Sequence, residues 1–162
     1  MSDVLCLYYS RSGQTKAAMW EIAGELNAEL VEISDGVDRS GTRGYIRAGM
    51  EAMRRSTRPL LPVQTEKPLG EYRLVIIGSP VWAGRCASPI RGFLKRRGLE
   101  IERVAYVLTR QSERHYDEVY QQMDHYTAAE HLLAVSLRPD DVGYEFWRDM
   151  FIQEVRRYLE GQ

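Results

Sequence analysis

Residues 6 to 15 read CLYYSRSGQT, and their types allow two kinds of anion chemistry. Ser10, Ser12 and Thr15 put three hydroxyls within six residues, beside Arg11, Gly13 and Gln14. Where such a stretch joins a strand to a helix, unpaired N–H groups and the positive end of the helix dipole attract a phosphate. The hydroxyls add donors, and glycine lets the backbone approach. The alternative is a cysteine-phosphatase loop, in which a thiolate and an arginine grip one oxyanion. That loop needs its arginine six positions after the cysteine, yet Arg11 stands five after Cys6, and Leu7-Tyr8-Tyr9 contains no glycine. Cys6 is therefore expected in the core, as a small hydrophobe. For Ser12 the competing role is a plain helix cap.

A second candidate stretch is Gly78-Ser79-Pro80-Val81-Trp82-Ala83-Gly84-Arg85-Cys86. An indole beside a glycine suits a flat aromatic ligand, while Pro80 stiffens the approach and Gly84 permits unusual backbone angles. Trp82 as a plain core aromatic is the competing reading. The third stretch, Thr109-Arg110-Gln111-Ser112-Glu113-Arg114-His115-Tyr116, combines hydroxyls with Arg110, Gln111 and the aromatic ring of Tyr116. No Walker-type phosphate loop occurs. The ends of the first and third strands carry Tyr9-Ser10 and Ser79-Pro80, not the acidic residues of a phospho-acceptor site.

These stretches need a scaffold that brings them together. Val4 to Tyr9 is a short apolar run, and from Gly13 a helical period places Ala18, Met19, Ile22, Ala23 and Leu26 on one face. Leu30 to Ile33 reads as a second strand, and Gly44 to Arg55 as a helix carrying Tyr45, Ala48, Ala52 and Met53 among arginines. Leu74 to Gly78 is a continuous apolar run, the mark of a strand buried on both faces. A helix with Pro89 near its start follows, then a strand at Val104 to Leu108, a helix around Tyr116 to Met123, a strand at Leu132 to Leu137 and a closing helix through Phe151 and Val155. Alternation at this spacing predicts an α/β fold: a five-stranded parallel sheet of order 2-1-3-4-5, covered by helices on both faces. A ligand then belongs at the carboxyl ends of strands 1 and 3, where the three stretches meet.

The 162 residues suffice for one domain spanning 1–162. A net charge of −1 offers no field for nucleic acid. The arginines from Arg39 to Arg58 read as solvated helix faces, with a docking surface as the alternative. Two cysteines without metal or disulfide spacing are expected as free thiols. No run approaches the roughly 20 apolar residues of a membrane span, so the expected location is cytoplasmic.

YSRSGQT and GSPVWAGRCASPIRGFL, with GYIRAGMEAMRR between them, resemble the flavodoxin family over most of the chain. The resemblance implies a flavodoxin-like three-layer αβα sandwich and noncovalent FMN. Its phosphate would sit against Ser10, Arg11, Ser12, Gly13, Gln14 and Thr15. Its ribityl chain and ring would lie among Ser79, Pro80, Val81, Trp82, Ala83 and Gly84, and the third wall would be Thr109, Arg110 and Gln111. Thr109 matches the family pattern, whereas the usual small residues after it are replaced by Arg110 and Gln111. A positive Arg110 near flavin N1 is expected to raise the reduction potential. Neither Cys86 nor His115 is expected to be catalytic, and no metal is expected. Three roles remain open: an oxidoreductase taking electrons from NAD(P)H to a quinone-type acceptor, a single-electron carrier between redox partner proteins, and a cofactor-free binding module. The oligomeric state is left open.

Overall fold

The computed structural model describes residues 2–161. Its strands are β1 (Val4–Tyr8), β2 (Glu29–Glu32), β3 (Leu74–Trp82), β4 (Arg85–Cys86), β5 (Val104–Thr109) and β6 (Leu133–Leu137). Its helices are α1 (Gln14–Leu26), α2 (Gly41–Met53), α3 (Ser88–Arg97), α4 (Glu118–Asp124) and α5 (Tyr144–Glu160). The main sheet runs β2-β1-β3-β5-β6, all parallel. This is the expected 2-1-3-4-5 order, with one short strand added beside it.

Burial on both faces explains why the central strands read as unbroken apolar runs. Leu5, Leu7, Val75, Ile77, Tyr106 and Leu108 face one core, where Ala48 of α2, Ile90 and Phe93 of α3 and Val119 of α4 pack. Their neighbours Cys6, Ile76, Ala105 and Val107 face the other, against Ala18 and Ile22 of α1 and Phe151 and Val155 of α5. This alternation, period two along each strand, produces three layers. No helix among the described residues is long and apolar enough to cross a membrane.

The segment expected as a loop after Gly78 is instead a hairpin. β3 continues to Trp82, and β4 pairs antiparallel with it through Val81 with Cys86 and Trp82 with Arg85. The turn residues Ala83 and Gly84 have φ of 50° and 74°. Positive φ at both central positions matches the twist of a two-residue hairpin. Helix α2 also starts earlier than its apolar period suggested, at Gly41 instead of Gly44.

Candidate functional site

The carboxyl ends of β1, β3 and β5 border a cavity of about 430 Å3 where the strand order reverses. From the first stretch Arg11, Ser12, Gln14 and Thr15 line it; from the second, Pro80, Val81, Trp82, Ala83 and Gly84; from the third, Thr109, Arg110 and Gln111.

The turn into α1 is built around Ser10, whose Oγ accepts a hydrogen bond from the Gly13 N–H at 3.0 Å. Gly13 has φ of 97°, a conformation that side-chain-bearing residues resist, and no side chain caps α1. Ser12 therefore does not cap the helix. Its hydroxyl stands on the cavity wall beside the helix's first-turn N–H groups. Ser10 and Gly13 shape the turn without being part of that wall. Thr15 and Thr109 are both buried, and their hydroxyl oxygens lie 2.7 Å apart, a bond across the cavity floor between α1 and β5. Arg11 donates to the Arg39 carbonyl at 3.2 Å and lies over the Tyr45 ring, tying the first turn to α2.

Ser79 does not reach the cavity. It is fully buried, and its Oγ accepts the Ala87 N–H at 2.9 Å, fastening the hairpin to the start of α3. Trp82 packs T-shaped against Tyr9, ring centres 5.4 Å apart, and the Arg39 guanidinium lies 5.3 Å from its ring centre.

Arg39 is the residue that sequence reasoning misplaced. Its side chain is wholly buried, not solvated. Nε donates to Glu51 at 3.0 Å, Nη1 to Asp35 at 3.0 Å and to the Tyr9 hydroxyl at 3.2 Å, and Nη2 to Asp35 at 2.6 Å and to Glu51 at 3.0 Å. All the donors of the guanidinium are thereby used. Burial alone would push the Asp35 and Glu51 carboxyls up, but their hydrogen bonds to Arg39 and its charge outweigh burial and hold both below the ordinary range. The same contacts raise the Arg39 pKa against the effect of burial.

In the third stretch Arg110 is buried, with its guanidinium held by Ser136 Oγ at 2.9 Å, the Ser112 carbonyl at 2.6 Å and the His115 ring at 3.4 Å. Its charge is thus fixed at the cavity edge and does not face open solvent. Tyr116, with φ of 62°, also lines the cavity. His115 is exposed. Cys86 lies in β4, not in a loop, and burial pushes its thiol up to about 11 against the opposing charges of Arg91 and Arg85. Burial likewise pushes Cys6 to about 12. Neither is a thiolate at neutral pH.

The wall that sequence reasoning missed belongs to α2. Gly44, Ala48 and Ala52, one every fourth residue, form its buried face, while Tyr45, Ile46, Met50 and Met53 are exposed and line the cavity. A stripe of small residues lets the helix lie close to its neighbours, which leaves the larger apolar side chains free. Apolar residues beyond that stripe, in a helix otherwise rich in arginine, were the available signal.

Neither the protein-family models nor the curated proteins give a match to the sequence. Solved structures do. A flavoprotein from Lactobacillus acidophilus NCFM, in complex with FMN, superposes with a TM-score of 0.68 at 22% identity, covering 91% of this chain and 99% of that one. The fold is flavodoxin-like. The apo form of the same bacterial flavoprotein gives 0.60 at 24% identity, covering 91% and 97%. A flavodoxin, WrbA-like protein from Agrobacterium tumefaciens gives 0.59 at 12%, covering 98% and 99%. Within this flavodoxin-like fold, the cavity lies at the switch point between β1 and β3.

Proposed function

We propose that the chain, acting as one flavodoxin-like domain, binds FMN in this cavity and serves in electron transfer. The supporting observation is the convergence of an uncapped α1 N-terminus, the Thr15–Thr109 hydroxyl pair and an apolar α2 wall around about 430 Å3, a size suited to a cofactor. These residues fit the two ends of FMN. Ser12, Gln14, Thr15 and the first-turn N–H groups would hold the phosphate, with Arg11 adding positive charge. Trp82, Tyr45, Met50 and Tyr116 would enclose the ring and exclude water. The solved Lactobacillus flavoprotein of the same fold carries FMN, which supports the assignment.

Bound FMN supplies reversible one- and two-electron chemistry. The chain's own part is binding and electrostatics. Arg110, immobilised by Ser136 and Ser112, places a fixed positive charge beside the ring site. Such a charge favours an anionic reduced ring over the neutral oxidised one, and so raises the potential. Arg11 and Arg110 are the charged residues that line the cavity, and both are positive. That favours an NAD(P)H-dependent reduction of a small acceptor over docking to a basic carrier partner.

The deciding experiment adds FMN to the purified protein and follows flavin fluorescence. Saturable quenching is expected, weakened by Thr15→Val. Absence of quenching overturns the proposal in favour of a cofactor-free module. Bleaching of the bound flavin by NADH or NADPH, with turnover on a quinone, supports the oxidoreductase role; no bleaching supports the carrier.

A further inference from the structure

On the far side of the β3–β4 hairpin lies a second pocket, of about 520 Å3, which shares no lining residue with the first. Arg55, Arg85 and Arg91 line it together with His125 and Cys86. Its one carboxylate, Glu118, is already paired with Arg114. Three arginines thus line this pocket without a free acidic partner among its walls.

Arg91 is the informative member. It is 4% exposed, yet it has no carboxylate within ion-pair distance among the described residues. Its one side-chain hydrogen bond runs from Nη2 to the Cys86 carbonyl at 3.5 Å, and Nη1 is buried without a partner. Ser88 Oγ, one helical turn earlier on α3, is the other buried side-chain polar atom without a partner among the described residues. A buried cation left uncompensated is costly, and charged groups in folded proteins are ordinarily paired. The missing counter-charge matches an oxyanion, and the guanidinium fork suits phosphate oxygens. The pocket is larger than a single carboxylate needs. Its position is also specific: Gly84 lines the first cavity and the adjoining Arg85 lines this one.

We infer that the second pocket is an anion site that seats the diphosphate of a nucleotide substrate whose other end reaches the first cavity. The anion site stands by itself; only the placement of the other end rests on the electron-transfer reading above.

The test uses the FMN-loaded full chain and inorganic pyrophosphate as the probe, by titration calorimetry at about 0.15 M ionic strength, where diffuse charge effects are screened. Saturable binding is expected, about tenfold weaker in Arg85→Ala and in Arg91→Met, the loss of one charged hydrogen bond. FMN quenching should be unchanged in both, which also reports that each variant is folded. NADH or NADPH is expected to displace the pyrophosphate. No pyrophosphate binding, or binding indifferent to both substitutions, overturns the site, and failure of both nucleotides to displace the probe overturns the substrate assignment. If FMN is not taken up but pyrophosphate still binds with the same arginine dependence, the cofactor reading fails and the anion site stands.

Discussion

Arg39 and Arg91 are both buried arginines beside the β3–β4 hairpin, and their surroundings are opposite. Arg39 meets two carboxylates, a phenol and two aromatic rings, and every donor is used. Arg91 meets one carbonyl at the limit of hydrogen-bond distance. Burying a guanidinium costs the same solvation in each place, so the difference lies in compensation. A compensated charge behaves as part of the framework: Arg39 pins Asp35 and Glu51 from either side of the α2 start and backs the indole of Trp82. An uncompensated one is a standing demand for an anion.

The largest test of this contrast removes the compensated charge. Arg39→Met should cost about 3–5 kcal/mol in urea unfolding, because Asp35 is left as a buried carboxylate without its cation and Glu51 keeps only the exposed Arg47. Unfolding free energy within about 1 kcal/mol of the parent would show that the network contributes little. Gly44→Ala should come next, at about 1–3 kcal/mol by overpacking. A Cβ at Gly44 would lie 1.8 Å from the Arg39 backbone, so the helix must shift away from the residue it holds. An unchanged melting temperature would count against that close approach.

Acid probes the same network more gently. The Asp35 and Glu51 pKa values are depressed in the folded state, so their contribution is fully present above the ordinary carboxylate range and is lost as pH falls through the folded values. The parent should therefore lose more stability than Asp35→Asn between about pH 5 and about pH 3. Equal losses would place the acid sensitivity elsewhere. The smallest effect is expected at the other arginine: Arg91→Met should leave stability unchanged or raise it by about 1 kcal/mol, since it removes a buried charge with no partner to strand. A loss as large as that of Arg39→Met would erase the distinction between the two.

The topology was legible because sheets covered on both faces leave unbroken apolar runs such as LVIIG and VAYVL, and because strand and helix periods alternate cleanly. The loops were legible because hydroxyls and glycines cluster where strand gives way to helix. What escaped depends on long-range partners. Val81 and Trp82 looked like loop because only pairing with Cys86 and Arg85 makes them strand. Ser79 looked like a ligand contact because nothing local shows that its hydroxyl serves Ala87. Arg39 looked solvated because its carboxylates lie 4 residues before and 12 after it and converge only once α2 has packed. The α2 wall went unread for a related reason: nothing local shows that Gly44, Ala48 and Ala52 are the residues inside, which leaves Tyr45, Ile46, Met50 and Met53 to line the cavity.

The Thr15–Thr109 bond joins residues 94 positions apart in the chain. Its two halves leave the ribosome far apart in time, since synthesis runs from the N-terminus at about 5–20 residues per second. Until β5 has docked beside β3, the first turn has no floor beneath it, and such a distant contact is among the slower ones for a chain to close. Ligand capture in this cavity would thus act as a completion signal, registering only molecules whose second half has joined the first.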